Sequence, residues 1–330
     1  MSGLVDQRRR IEAALGFNEI HDVTSMKSIA HIFPPSKPRC GIYFLKFGDG
    51  LCYIGQAVDV VRRFAQHRKI YDDIVAIAFF VLPRANLDSV ERLLIFKAES
   101  QGLRLKNAVH VTSVEGERDL DLVVSNEEQE SFLIGGNDGE SFTRLIDLPS
   151  SQHDRFSKNF LRFQSHEFGR TAVGLLQKYF RSCIVRPRTT EYSFWSVSCM
   201  PSTNVGSWPR LFAVNAASME LFVAGWQKGS HLTWAFLNVA DDVLTQHWQN
   251  LQAFSERYPT VETVERSYRD AGQRQVTLHV SSHEEMLELL HDEGVCKAAA
   301  ALSLRVMRKR GNLYAKYHCP QLAELTFSGL

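Results

Sequence analysis

GIYFLKFGDGLCYIG at residues 41–55, QAVDVVRRFAQHRK at 56–69, VERLLIFKAES at 90–100 and LRLKN at 103–107 carry the densest local pattern in this chain of 330 residues. Gly41–Phe47 is rich in β formers, Asp49-Gly50 is a hairpin turn signal, and residues 51–54 are a second short apolar run, so the stretch predicts a hairpin. Over 57–67, Ala57, Val60, Val61 and Phe64 recur at helical spacing, while Arg63 and His67 lie four apart on another face. Residues 74–82 are apolar enough for a third strand, and Leu87–Ser100 predicts a helix with Glu91 near its start.

Packed together, these elements would assemble a set of groups suited to phosphodiester hydrolysis. That reaction needs an activated water, a cation on the phosphate and a donor near the leaving oxygen. Glu91 is a hard oxygen ligand for Mg2+, with waters completing the shell. Arg63 can donate two parallel hydrogen bonds to phosphate oxygens. Tyr43 and Tyr53 carry hydroxyls at matching places in adjacent strands, able to take a proton from water if ionised near a cation. His67 can relay a proton or hold a tyrosine in the required state. The residues also have plain structural readings. The tyrosines would be strand aromatics, Glu91 a first-turn acid favoured by the helix dipole, and Asn107 a turn residue.

The segment resembles the catalytic domain of the GIY-YIG nuclease superfamily. The first name-giving triplet stands intact as Gly41-Ile42-Tyr43 and the second as Tyr53-Ile54-Gly55; the family's helix arginine falls on Arg63, its histidine on His67, its metal-binding glutamate on Glu91 and a late asparagine on Asn107. The resemblance implies a catalytic set of Tyr43, Tyr53, Arg63, His67, Glu91 and Asn107 and one divalent ion on Glu91, Mg2+ with Mn2+ as substitute. Tyr53 is favoured as the essential one in some mechanistic role, and which hydroxyl is the base stays open. Gln56 stands where many members have lysine or serine, which weakens a phosphate contact. The motifs span about a fifth of the chain.

Overall charge excludes little, since 38 basic residues face 37 acidic ones. Residues 1–110 carry 16 Lys/Arg against 11 Asp/Glu, 111–150 carry 2 against 10, and 151–330 carry 20 against 16, so an acidic middle cancels two mildly basic ends. The six cysteines form no CxxC or zinc spacing. With no secretory leader and no membrane-length apolar run, the expected setting is a reducing cytoplasm without membrane contact.

Four segments are expected. Residues 1–37 form an N-terminal helical arm with helices at 7–15, carrying Arg8, Arg9 and Arg10, and at 24–33. Residues 38–110 are the nuclease domain, a short antiparallel sheet flanked by helices. Residues 111–150 are an acidic connector in which Glu127, Glu128 and Glu130 are solvated. Residues 151–330 are a larger α/β or α+β domain for target recognition or partner binding. In that last domain, helices are expected at 167–180, 241–258 and 284–310, the last one long helix or two joined near Gly294. Strands are expected at 192–200, 211–214, 220–226, 232–239 and 275–280, and a packed C-terminal strand beyond them.

The nucleic-acid contact candidates are Gln56, Arg62, Arg68, Lys69, Arg308, Lys309 and Arg310. The last three belong to a basic helix end that either binds phosphate or complements the helix dipole. Tyr314, Lys316, Tyr317 and His318 follow as a basic-aromatic mixture capable of stacking. The reading for the whole chain is a divalent-metal-dependent DNA endonuclease acting on double-stranded DNA, with restriction or phage defence favoured. Specificity would come from the distal domain, a homodimer or a protein partner. The alternatives are a binding module retained on the nuclease fold, or a repair nuclease acting with a partner.

Overall fold

The computed structural model describes residues 15–107, 118–135, 150–203, 206–265, 268, 270–272 and 274–328. The chain is mixed α/β with two antiparallel sheets and divides into two compact units, Met1–Gly116 and Glu117–Leu330.

The first unit has four strands, β1 Ile20–Asp22, β2 Gly41–Phe47, β3 Cys52–Ala57 and β4 Ile74–Val81, in the order β1-β4-β2-β3. The expected hairpin joins β2 to β3, its turn made by Gly50 at φ +81° and by Asp49, whose carboxylate accepts from Leu51 N at 2.9 Å. Helix α1, Val60–Ile70, starts where Asp59 caps the Arg62 N–H at 3.0 Å. Helix α2 is Leu87–Ser100, as expected from its apolar spacing.

Strand parity then sorts the core into two layers. Tyr43, Leu45 and Phe47 share one face with Val60 and Phe64 of α1. Ile42, Phe44, Cys52 and Ile54 share the other with Leu94, Ile95 and Ala98 of α2. Each such buried side chain contributes roughly 1.5–3 kcal/mol relative to exposure, so the sheet is held between the two helices.

Both motif glycines are sites of close approach. At Gly41 an added Cβ would strike the Phe80 carbonyl and lie 2.9 Å from the Phe79 ring. At Gly55 it would strike the Tyr43 hydroxyl and lie 2.8 Å from Cε1 of Tyr53. The outer edge of β3 is closed by the chain that follows α2: Cys52 N donates to Arg104 O at 3.0 Å, and Lys106 N donates to Cys52 O at 2.7 Å.

The N-terminal arm is corrected. Residues 24–33 form turns instead of a helix, with Val23, Ile29 and Phe33 buried together on the α1 side of the sheet. Arg39 fixes the turn by donating to Phe33 O at 2.7 and 2.9 Å. Residues 7–14, with Arg8, Arg9 and Arg10, lie outside the described residues.

The second unit is built on strands β5 Trp195–Cys199, β6 Arg210–Ala216, β7 Met219–Trp226, β8 Thr233–Ala240, β9 Glu262–Val264 and β10 Gln275–Val280, ordered β5-β6-β7-β8-β10-β9. Its helices are α3 Asn126–Gly135, α4 Ser150–Gln164, α5 Gly169–Cys183, α6 Pro187–Thr190, α7 Asp241–Trp248, α8 Leu251–Arg257, α9 His283–Leu289, α10 Glu293–Lys309 and α11 Pro320–Phe327. One sheet face packs Val197, Leu221, Leu237 and Leu278 with Leu176 and Phe180 of α5 and Leu302 and Val306 of α10. The other face is mostly polar: Asn238, Gln275 and Thr277 join one another by side-chain hydrogen bonds of 2.5–2.8 Å.

Edge strand β5 is closed in the same manner as β3. His318 Nδ1 accepts from Val197 N at 3.2 Å, and Cys319 N donates to Val197 O at 2.7 Å.

Three expectations for this unit change. The acidic segment is a connector in none of its described part: Leu120, Val124 and Phe132 are buried in the second unit, Glu128 and Ser125 cap α3, and Glu128 pairs with Arg186. The helix expected over 241–258 breaks at Gln249, whose φ of +68° no helix accepts, and restarts on the Asn250 cap. Of the two readings for 284–310, two helices joined near Gly294 is the one found, the second opened by Asp292 capping Val295 N at 2.9 Å. The C-terminal strand is instead α11, started by Pro320 at its first turn.

Candidate active site

Tyr43 is the hub of the candidate set. Its ring, 2% exposed, lies under Gly55 and stacks beside Tyr53 with centroids 6.0 Å apart and planes 7° from parallel. The pairing of Tyr43 with Gly55 across the β2–β3 ladder puts the two phenols diagonally on one face. Helix α1 crosses that face. From it, Arg63 Nε donates to the Tyr43 oxygen at 3.2 Å, and Nε2 of His67 lies 2.7 Å from the same oxygen. The Tyr43 oxygen accepts from Arg63, and the direction of its bond with His67 is set by which tautomer the imidazole takes.

Electrostatics follow from this crowding. Burial, then the neighbouring Tyr53, push the Tyr43 hydroxyl far above the ordinary phenol range, against the pull of Arg63. Burial raises Tyr53 as well, with Arg63 opposing and Glu91 adding. Burial and the Arg63 charge hold His67 down to about 4. Both phenols are therefore protonated and the imidazole neutral near pH 7. The same burial and Arg63 charge that keep His67 neutral make it a weak base toward the Tyr43 proton.

Glu91 stands on the opposite sheet face. It falls in the buried stripe of α2 with Leu87, Leu94 and Ala98, so it is 9% exposed. Its Oε2 accepts from Gln56 Nε2 at 2.7 Å, Gln56 being on β3 with the parity of Ile54. The two clusters thus flank β3, and the Glu91 charge still raises both phenols.

Asn107 does not join them. Its Oδ1 accepts from Ile54 N at 3.0 Å and its Nδ2 donates to Ile54 O at 2.5 Å, so both halves of the amide extend the β3 ladder. The expected catalytic role is corrected to one of positioning: Asn107 holds the strand that carries Tyr53, Gly55 and Gln56.

The nucleic-acid candidates divide. Arg62 and Lys69 are exposed, and Arg62, Arg63 and Gln56 line a shallow depression of about 280 Å³. Arg68 is corrected: it donates to the carbonyls of Asp72, Ile74 and Val23, tying α1 to the sheet. The basic end of α10 is corrected too. Arg308 pairs with Asp121 at 2.8 Å, Lys309 is buried, and Arg310 forks onto Asp270, whose side chain is fully buried. Arg308 and Arg310 face carboxylates of their own unit and Lys309 is buried, which leaves the helix end poorly suited to phosphate.

Among the described residues there is no group of three or more His, Cys, Asp and Glu side chains able to hold a metal. Glu91 by itself suits Mg2+, which is commonly bound by one or two carboxylates with waters and substrate phosphate. Sequence reasoning missed the Gln56–Glu91 contact. The signal was present: Gln56 shares strand parity with Ile54, and Glu91 interrupts the apolar stripe that faces it.

No protein-family model, curated protein or solved structure matches this chain. Among the described residues, no helix is long and apolar enough to cross a membrane.

Proposed function

We propose that the first unit is a nuclease that hydrolyses DNA phosphodiester bonds with one divalent ion, Mg2+ or Mn2+, in the manner of the GIY-YIG enzymes it resembles. The observation that carries this reading is the convergence on Tyr43 of Arg63 and His67 from α1, beside Tyr53 and within the field of Glu91.

A divalent ion on Glu91 would supply Lewis-acid polarisation of a phosphoryl oxygen. Arg63 supplies fixed positive charge for the phosphate oxygens as the transition state forms. Tyr43 is the phenol with an imidazole nitrogen in reach: with His67 Nε2 unprotonated, it would pass its own proton to that nitrogen while taking one from the attacking water. The water oxygen bonds to phosphorus as the bond to the leaving oxygen breaks, and the alkoxide so released takes its proton from solvent. Tyr53, the more exposed phenol, lies flat against Tyr43 and fixes the ring.

A second reading has its own support. The Gln56 amide occupies one oxygen of Glu91, which favours a nucleic-acid-binding module whose carboxylate is closed to metal. One experiment separates the two. A mixed pool of single-stranded, duplex and branched DNA is incubated in Mg2+ or Mn2+ with wild type, Glu91→Ala and Arg63→Ala. The nuclease reading expects cutting by wild type and at least a hundredfold loss in each variant with the fold retained. Normal cutting by either variant would sink the site assignment, whereas stoichiometric binding without turnover would establish the binding module.

A further inference from the structure

The second unit contains a cavity of about 650 Å³ on the polar side of its sheet. Ser198, Ala213, Asn215 and Glu220 from β5, β6 and β7 line it, with residues of α4 and of the segment after α10. Its size is that of a site for a small organic ligand.

Three features restrict what fits. Tyr314 and Tyr317 line it with ring centroids 6.4 Å apart; Tyr317 is 42% exposed and the Lys316 ammonium lies 4.9 Å from its ring centroid, so an exposed aromatic is presented beside a cation. Arg162 and Lys228 also line the cavity; both are exposed, and no ion pair joins either one among the described residues. Arg210 reaches the cavity from within the fold. Its side chain is nine-tenths buried, its guanidinium forks onto Glu220, and its Nε is a buried donor with no hydrogen-bond partner. Nearby, Asn215 uses its amide nitrogen on Ala213 O at 3.2 Å, and its Oδ1 has no partner among the described residues.

A wholly apolar ligand would leave Arg210 Nε unmatched and two cations idle. A bare phosphate would leave the aromatic rim idle. A planar heterocycle with ring donors and acceptors and an attached phosphate satisfies all of them: stacking on the tyrosines, edge hydrogen bonds to Arg210 and Asn215, and charge on Arg162 and Lys228. The stretch from Tyr314 to His318 thereby divides its roles. His318 is buried against Glu191 and structural, while Tyr314 and Tyr317 are left to the cavity.

We propose that this cavity binds one nucleotide, a base with its phosphate, presented as an unpaired position in a nucleic-acid strand. The preference for a nucleotide over other aromatic anions rests on the nuclease reading of the first unit; the cavity and its groups do not. A free nucleoside monophosphate carries the same chemistry, so the test includes it.

The test uses the full chain in EDTA, where no cutting occurs. Fluorescence anisotropy compares a labelled duplex with one bulged nucleotide, the same duplex with an abasic bulge, and the fully paired duplex. Wild type is expected to favour the bulged base over both controls by about fivefold or more, the scale of one stacked base. Tyr317→Ala and Lys228→Ala, both at exposed positions, should each remove most of that preference without altering the melting temperature. Equal affinity for the three duplexes, or a preference that survives in both variants, would overturn the proposal. If instead the four deoxynucleoside monophosphates bind by calorimetry, lose binding in Tyr317→Ala and show no strand counterpart, the strand source is wrong and the ligand is the free nucleotide. Cleavage by wild type and Glu91→Ala in Mg2+ is scored separately. Cutting without bulge preference retires the cavity alone, and bulge preference without cutting retires the nuclease reading alone.

Discussion

At Gly55, the absence of one carbon gives the Tyr43 phenol its place. Gly55→Ala should destabilise the first unit by roughly 2–3 kcal/mol, since the added methyl has to displace a buried ring from between strand and helix; equilibrium denaturation measures it. Tyr43→Phe keeps that packing but removes the hydrogen bonds to Arg63 and His67, and it should lose far more cleavage rate than Tyr53→Phe in the assay above. His67 makes a prediction with a definite sign. Its pKa falls from 6.5 to about 4 on folding, so the unfolded chain takes up the proton first as pH drops. The stability this contributes is fully present above about pH 6.5 and is lost as pH falls toward 4. A melting-temperature series from pH 8 to pH 4 should therefore slope less steeply for His67→Gln than for wild type. At this scale the sequence was informative for Tyr43, Arg63 and His67, whose triplet and four-residue spacing survive folding as neighbours. It was silent on Asn107, because an amide that continues a β ladder looks in sequence like any turn residue.

Among elements, those with a full period of their own were legible and those defined by distant partners were not. Residues 41–47 and 87–100 carry complete strand and helix patterns. Strands β1 and β9 are three residues each and exist only through pairing with β4 and β10. The helix break at Gln249 depends on a positive φ and the Asn250 cap, which periodicity does not register, whereas the break near Gly294 was marked by its glycine. The Asn107 amide belongs to this scale, since it acts on β3 as a whole. Asn107→Ala should cost about 2–3 kcal/mol by leaving the Ile54 N–H and C=O without protein partners. Slow amide exchange at Ile54 in wild type and fast exchange in the variant would locate the loss; unchanged exchange would refute the positioning role.

Over the whole molecule, charge is more committed than its composition suggests. Arg308 meets Asp121 across 187 positions of sequence and Arg310 meets Asp270 across 40, separations that no local pattern reveals. Arg310→Ala should destabilise by about 3–5 kcal/mol, because the Asp270 carboxylate stays buried with its main partner gone. With those cations engaged, DNA binding at the candidate active site falls to Arg62, Arg63 and Lys69. Three phosphate contacts give a logarithmic salt slope near −3, and a titration from low to physiological salt measures it. A slope several times steeper would mean that further basic residues reach the backbone. The two sealed edges have a different consequence, one of timing. The chain leaves the ribosome from its N-terminus, so Asn107 follows β3, and His318 follows β5 by more than the length of the sheet. Each nascent sheet must therefore exist for a time with one bare row of peptide groups, open to pairing with a neighbouring chain. Ribosome-stalled or truncated products that stop short of residue 107 or residue 318 are the forms of this protein most exposed to aggregation, and the ones on which a chaperone would act.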